Sequence, residues 1–277
     1  MDESEKQREH YDRTRKPRYE EFFNNPEFLR GVSIPMEYFR PNRIILEKIS
    51  AVCSNNFDGE KILDLGCGEG GWSCYLASLG AEVVSLDISE MNLKITQLKA
   101  QRNSLTNVHT VLGDCTNTCL ERESFDIILG IALIHHLTVN QEQRLYQEVF
   151  DLLKHGGCAF FMESLQNSPT LDFIRTLVPI FQKVEPRPSK LSKSWKKFKA
   201  NDIHPSRPNT TRHYREMLRR LPFARVELEE IGIFSRLDRL IENKQLRRWI
   251  HDIDYTIKPF IPFNSKLCRN IIITLWK

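Results

Sequence analysis

The chain has 277 residues, 40% of them hydrophobic, and a formal charge of +4. That is apolar material for one large α/β domain or two small ones, which excludes a disordered chain, and so mild a charge points to no particular partner. The longest apolar run, Ile127 to Ile134, is far short of the ~20 residues that span a bilayer, and the charged opening MDESEKQREHYDRTRK has no apolar targeting core. A soluble, cytoplasmic protein of open oligomeric state is expected, not an integral membrane protein.

Residues 1 to 30 are densely charged, with Tyr11, Tyr19, Phe22 and Phe23 interleaved, and read as one or two polar helices lying on a domain. Pro35 and Pro41 punctuate the next stretch, and NRIILEKISAV (42 to 52) has helical apolar spacing. From Lys61 strands and helices alternate. KILDLGC is a strand, GWSCYLASLG a helix stopped by Gly80, AEVVSLDIS a strand and EMNLKITQLKAQRN a helix. NVHTVLGDC and FDIILGIAL are strands, NQEQRLYQEVFDLLKHGG a helix with a glycine stop, and CAFFMES a fifth strand. Continuous apolar strands separated by helices mean a parallel sheet covered on both faces. After Ser164 the rhythm breaks into helices and a Pro-rich stretch. ARVELEEIGIF and the final NIIITLWK then read as strands, with a helix between them.

Seven cysteines are dispersed, with no C-x-x-C pair and no Cys/His spacing typical of zinc. Buried free thiols in a reducing compartment are expected, and no metal.

The sharpest segment is Asp64-Leu65-Gly66-Cys67-Gly68-Glu69-Gly70-Gly71, a strand running into a glycine turn and then a helix. Gly66, Gly68 and Gly71 also match the dinucleotide pattern G-x-G-x-x-G, a weak signal alone. Asp64 tilts the reading. A carboxylate two residues before the first glycine suits a cationic ligand end and is awkward beside a pyrophosphate, which wants bare N–H groups. Asp87 ends the next strand 21 residues after Gly66, where a carboxylate can accept both ribose hydroxyls of either kind of nucleoside cofactor. The third strand ends in Gly113-Asp114-Cys115, and Asp114 could accept from an adenine amino group. The fourth ends in Ile131-Ala132-Leu133-Ile134-His135-His136-Leu137.

Taken in order, ILDLGCGEGGWSCYLA, SLDIS, GDC, FDIILGIALIHHL and LLKHGGCAFFMES resemble the class I, Rossmann-like S-adenosylmethionine-dependent methyltransferases, closest to their broad small-molecule branch. The resemblance implies a seven-stranded, mostly parallel, doubly wound sheet whose last strand is antiparallel. One domain over 1–277 would comprise an N-terminal helical cover (1–52), a cofactor-binding core (53–164), a helical lid between strands five and six (165–220) and the last two strands (221–277). It implies cofactor contacts from Asp64, Gly66, Cys67, Gly68, Asp87, Ile88, Met91, Gly113, Asp114, Cys115 and Ile131, with Tyr11 as a capping aromatic. No N-P-P-Y or D-P-P-Y follows the fourth strand, which argues against planar amine or amide acceptors.

His135 is the candidate base or pocket polar group, placed at the edge where open α/β sheets bind ligands. His136, His204 and Arg207 are candidate substrate residues, Arg207 as partner for an anion. Residues 183 to 220 carry twelve Lys or Arg against three acids, a net of +9, and the stripe Leu191, Trp195, Phe198 falls within them. A mobile basic cover over an anionic or amphipathic small molecule is expected, with O-methylation favoured over nitrogen or carbon acceptors. A basic amphipathic segment could also lie on an anionic membrane surface. The rivals are an RNA or protein methyltransferase docking through that segment, though nucleic acid is disfavoured for want of a separate binding module. A non-catalytic cofactor-fold subunit and an NAD-dependent oxidoreductase complete the set.

Overall fold

A computed structural model describes residues 3–29, 31–32, 40–166, 204–233, 241, 243–257, 260 and 267–277. The stripe at Leu191, Trp195 and Phe198, and the lysines around it, lie outside the described residues.

Seven strands form one sheet: β1 (Lys61–Leu65), β2 (Glu82–Asp87), β3 (Val108–Leu112), β4 (Phe125–Ile131), β5 (Leu153–Ser164), β6 (Arg225–Ile231) and β7 (Asn270–Trp276). Their order is β3-β2-β1-β4-β5-β7-β6. The first five strands are parallel, and β7 runs antiparallel to both β5 and β6. The mostly parallel, doubly wound sheet is therefore real, and its antiparallel strand is the one at the end of the chain.

The helices follow from the same patterning. Among the described residues they are α1 (Glu3–Asn24), α2 (Arg40–Val52), α3 (Gly71–Ser78), α4 (Glu90–Arg102), α5 (Val139–Leu152), α6 (Thr211–Leu218) and α7 (Lys244–Ile257). Pro41 lies in the first turn of α2, where a missing N–H costs nothing. Thr138 and Gln141 form a reciprocal capping box that starts α5, and Ser89 caps α4.

One boundary differs from the sequence reading. The Lys154–Gly157 segment, taken as the end of α5 with a glycine stop, belongs to β5. The helix runs into the strand with no intervening loop, since Leu152 and Leu153 are both buried and no polar break separates them. The glycines instead sit where the pairing of β4 with β5 is irregular, between Phe125↔Leu153 and Ile127↔Cys158.

Alternate residues along the central strands serve opposite cores. Phe161 and Ile273 face Tyr146, Val149, Tyr214 and Leu218 of α5 and α6. Phe160 and Ile272 face Ile45, Ile49, Trp72 and Leu76 of α2 and α3. That period of two requires both faces of the sheet to be covered. Each such side chain stabilises the fold by about 1.5–3 kcal/mol through burial. The result is a rigid platform whose strand ends, at the β1/β4 switch point, are free to carry a site.

Candidate functional site

A cavity of about 240 Å³ opens at the carboxyl ends of β1, β2, β3 and β4. Gly66, Gly68, Leu86, Asp87, Ile88, Asn92, Gly113, Asp114, Cys115, Ile131, Ala132, Leu133, His136 and Leu137 line it, and Ser4, Gln7, Tyr11 and Arg15 of α1 complete the wall. The structure thus brings together at one cavity Gly66, Gly68, Asp87, Ile88, Gly113, Asp114, Cys115, Ile131, Tyr11 and His136. Asp64, Cys67, Met91, His135, His204 and Arg207 lie outside that lining.

The glycine turn is a backbone surface. Gly66 has φ of +66°, and a Cβ there would meet Leu133 Cδ1 at 2.7 Å. Gly68, at φ of +55°, has open space where a side chain would project. Both positions therefore need glycine, the first for packing and the second to leave the cavity floor bare. The turn is pinned to the sheet by the amides of Gly66 and Cys67, which donate to Leu86 O at 2.8 and 3.1 Å.

Asp64 lies beneath this turn, 2% exposed, and accepts from Ser73 Oγ at 2.6 Å. Burial pushes its carboxyl up to about 6, against the opposing pull of the Ser73 hydrogen bonds. Asp87 is also buried. Its Oδ2 accepts from Gly68 N at 2.8 Å, and its Oδ1 from Ser89 N at 2.8 Å and Asn92 Nδ2 at 3.2 Å. Burial raises its carboxyl above the usual range while these three bonds oppose the shift. Three of a carboxylate's roughly four acceptor positions are thus filled, leaving about one for a ligand hydroxyl rather than two. Asp114 takes Thr116 N and Oγ1 on one oxygen, each at 2.8 Å, and Ser4 Oγ on the other at 3.2 Å.

The thiols near the site are inert. Burial holds Cys67 and Cys115 well above the ordinary thiol range, so neither supplies a thiolate.

Helix α1 roofs the cavity with polar contacts. Gln7 Nε2 donates to His136 O at 2.5 Å, and Tyr11 Oη lies 3.2 Å from His136 Nδ1. Asp12 accepts from Ser89 Oγ at 2.6 Å and Met91 N at 3.2 Å, which is where Met91 enters the site. Arg15 and Arg18 pair with Glu69 at 3.3 and 3.0 Å. Sequence reading missed these partners because α1 is polar on every side and offers no apolar face to assign.

The second half of the site is the turn after β4. Ala132 adopts a left-handed φ of +55°, which redirects the chain into a single 3-10 turn over Ile134–His136. His135 Nδ1 lies 2.8 Å from Glu163 Oε2, and Ile134 N donates to Glu163 Oε1 at 2.5 Å. The Glu163 side chain is fully buried at the end of β5. A carboxylate there accepts, which places the imidazole proton on Nδ1 and leaves Nε2 as the acceptor. Glu163 went unread in the sequence, although a lone acid closing the apolar run CAFFMES at a ligand-bearing edge was its signal. The His136 ring lies 4.1 Å from His135, and that of His204 lies 4.6 Å from His136.

Arg207 corrects an expectation. Its side chain is 1% exposed and engaged on every branch. NH1 donates to Ile134 O at 2.8 Å and Leu137 O at 3.1 Å, NH2 to Glu142 Oε2 at 2.6 Å, and Nε to Asn209 Oδ1 at 2.9 Å. It is an internal clamp, with no branch left for the anion of a substrate.

Residues 62–157 match the family model described as a methyltransferase domain. A ubiquinone biosynthesis O-methyltransferase of Bartonella tribocorum is 35% identical over 123 residues, covering 41% of this chain and 47% of that protein. The chain spans about half the length of the curated relatives it matches. Among solved structures, a phosphoethanolamine N-methyltransferase of Haemonchus contortus superposes with a TM-score of 0.54 at 16% identity, over 83% of this chain and 52% of that one. A SAM-dependent methyltransferase from Archaeoglobus fulgidus gives 0.52 at 16% identity, over 92% and 99%. These last two show the fold. Residues 62–157 are thus similar to a methyltransferase domain, on a fold that the chain shares with these solved methyltransferases. Among the described residues no helix is long and apolar enough to cross a membrane.

Proposed function

We propose that this chain transfers the methyl group of S-adenosylmethionine to a hydroxyl of a small molecule. The observation that carries the reading is the His135–Glu163 pair standing beside a cavity floored by bare glycine backbone. When bound, the cofactor supplies an electrophilic methyl group that passes in line from sulfur to the acceptor.

The residues present fit that cofactor. The open face at Gly68 admits a ligand against the backbone, Asp87 keeps an acceptor position for a ribose hydroxyl, and Asp114 stands at the far rim for the adenine end. Tyr11 and Gln7 stand over the cavity from α1 and would screen a bound cofactor from water on that side. Holding acceptor and methyl in line supplies much of the rate by itself. His135 adds to it: with its proton fixed on Nδ1 by Glu163, Nε2 takes the acceptor's hydroxyl proton as the oxygen attacks.

An oxygen acceptor agrees with relatives named for ubiquinone biosynthesis O-methylation and with the lack of an N-P-P-Y motif. The basic run from 183 to 220 still favours an anionic or amphipathic acceptor through its lysines, with Arg207 withdrawn from that set. The test is methyl transfer from labelled cofactor to a metabolite extract, with products separated by mass. Product carrying label on oxygen supports the proposal. Tight cofactor binding with label appearing only on RNA or protein would redirect it.

A further inference from the structure

The turn after β4 carries two successive histidines, and the far side of the insertion returns a third. One imidazole nitrogen from each of His135, His136 and His204 lies within 4.8 Å of the other two, each residue half-buried. From this cluster we infer a site for one first-row divalent transition-metal ion, zinc being the closest fit.

Three arguments support it. First, three neutral imidazoles with a position left open form the ligand set of a catalytic zinc site. Such nitrogens stand about 3.3 Å apart when bound at 2.0–2.1 Å to a tetrahedral ion. Side-chain rotations that draw them together by up to about 1.5 Å would complete the site.

Second, the cluster has a supporting carboxylate. Metal-ligating histidines donate their other N–H to a buried acceptor that fixes tautomer and ring direction. Glu163 does this for His135 at 2.8 Å from a fully buried position. Ile134 N donates to the same carboxylate at 2.5 Å, tying its direction to the turn that carries His135 and His136.

Third, the two halves of the cluster are fastened together. Arg207 lies three residues beyond His204 and binds the carbonyls of Ile134 and Leu137, on either side of the histidine pair. Its ion pair with buried Glu142 holds that position. The clamp that an acceptor anion cannot use therefore explains why His204 stands against the turn.

His136 also lines the cofactor cavity, so an ion here would stand beside the methyl acceptor. Its open position would take the acceptor's oxygen and lower the pKa of that hydroxyl. The proton would then leave to water, the oxygen would form the new bond to the methyl carbon, and the C–S electron pair would return to sulfur. Ion binding itself rests only on the histidines. Its use in catalysis rests on the methyl-transfer reading above, with the ion in place of a free His135 Nε2 as the group that activates the hydroxyl.

The experiment is a titration of the chelator-treated 277-residue chain with Co²⁺ and Zn²⁺, followed by calorimetry and by the visible absorption of bound Co²⁺. One equivalent is expected to bind with a dissociation constant in the micromolar range or below. His204→Ala and His204→Asn should each weaken this at least a hundredfold, and Glu163→Gln by about 10–100-fold. S-adenosylhomocysteine binding, measured on the same samples, reports that each variant is folded. Absence of a stoichiometric site in the wild type, or wild-type ion affinity in both folded His204 variants, overturns the inference. Ion binding without any S-adenosylhomocysteine binding would instead overturn the methyltransferase reading and leave the metal site standing.

Discussion

Arg207 reaches back from the insertion to Glu142 in the first turn of α5, and the two side chains are 1% and 0% exposed. His213 Nε2 stands 2.7 Å from the same carboxylate oxygen. One buried carboxylate thus gathers the insertion, the β4 turn and α6 around itself.

Removing Arg207 strips the buried Glu142 carboxylate of its permanent counter-charge and leaves it only the His213 contact among those named above. Arg207→Met should therefore destabilise the chain by about 3–5 kcal/mol. The double variant Arg207→Met/Glu142→Gln should recover part of that loss, because the stranded charge is gone. Denaturant titrations of the three proteins check this. A single variant as stable as the wild type would show that the clamp is not formed.

Asp87 links the glycine turn to the cavity through Gly68 N and keeps about one acceptor position for a ligand. Asp87→Ala should weaken S-adenosylmethionine binding by about 1.5–3 kcal/mol, roughly 10–150-fold, the range for hydrogen bonds to charged groups. Calorimetry decides it. Unchanged affinity would remove Asp87 from the cofactor site.

Strands β2, β4, β5 and β7 were legible because each holds a run of apolar residues, and Asp87 and Asp114 because acids that close strands fall at the ligand edge of the sheet. The α5–β5 junction was not, since Leu152-Leu153 carries apolar character unbroken from helix to strand. Arg207 was misread for a different reason. A guanidinium meets an external anion or an internal carboxylate equally well, and its partner here is 65 residues away in the chain. The approach of His204 to His135 and His136 depends on that same long-range pairing, so no local spacing could announce it.

Asp64 ties stability to pH. Its carboxyl titrates near 6 in the folded chain because burial disfavours the charged form, against about 3.9 unfolded. Between roughly pH 4 and 6 the folded state holds more protons than the unfolded state, so this group's contribution falls as pH rises through that window and stays low above it. Asp64→Asn should remove that fall and leave the apo protein more stable than the wild type at pH 7.5, with the two differing least near pH 4. A cationic ligand above the turn favours the carboxylate, so cofactor affinity of the wild type should drop as pH falls below about 6, while the variant shows weak, flat binding. Parallel melting and binding curves at pH 4.5, 6 and 7.5 test both arms. A wild type whose stability and affinity track the variant at every pH would place the Asp64 titration elsewhere.

His135 is where the proposed chemistry is most exposed to test. Its Nδ1 is committed to Glu163, so whatever it does to an acceptor it does through Nε2. His135→Ala should lower kcat by about 10²-fold or more, the ordinary contribution of a positioned acid–base group. Cofactor affinity should stay at the wild-type value, because His135 is not part of the cavity lining. Glu163→Gln keeps the shape of the side chain but presents either its carbonyl or its amide to the imidazole, so the proton is no longer held on Nδ1. It should lower kcat by a smaller factor, again with cofactor binding retained. That split between turnover and cofactor binding separates a chemical role from a structural one, since a loosened fold would weaken both. Chelation then separates the two uses of Nε2. If His135 is a proton acceptor, chelator-treated wild type keeps its turnover and the loss in His135→Ala persists without metal. If the imidazole holds an ion, chelation alone reproduces the His135→Ala loss, and added Zn²⁺ or Co²⁺ restores the wild type but not the variant. Full turnover of His135→Ala in either condition would remove this residue from the reaction.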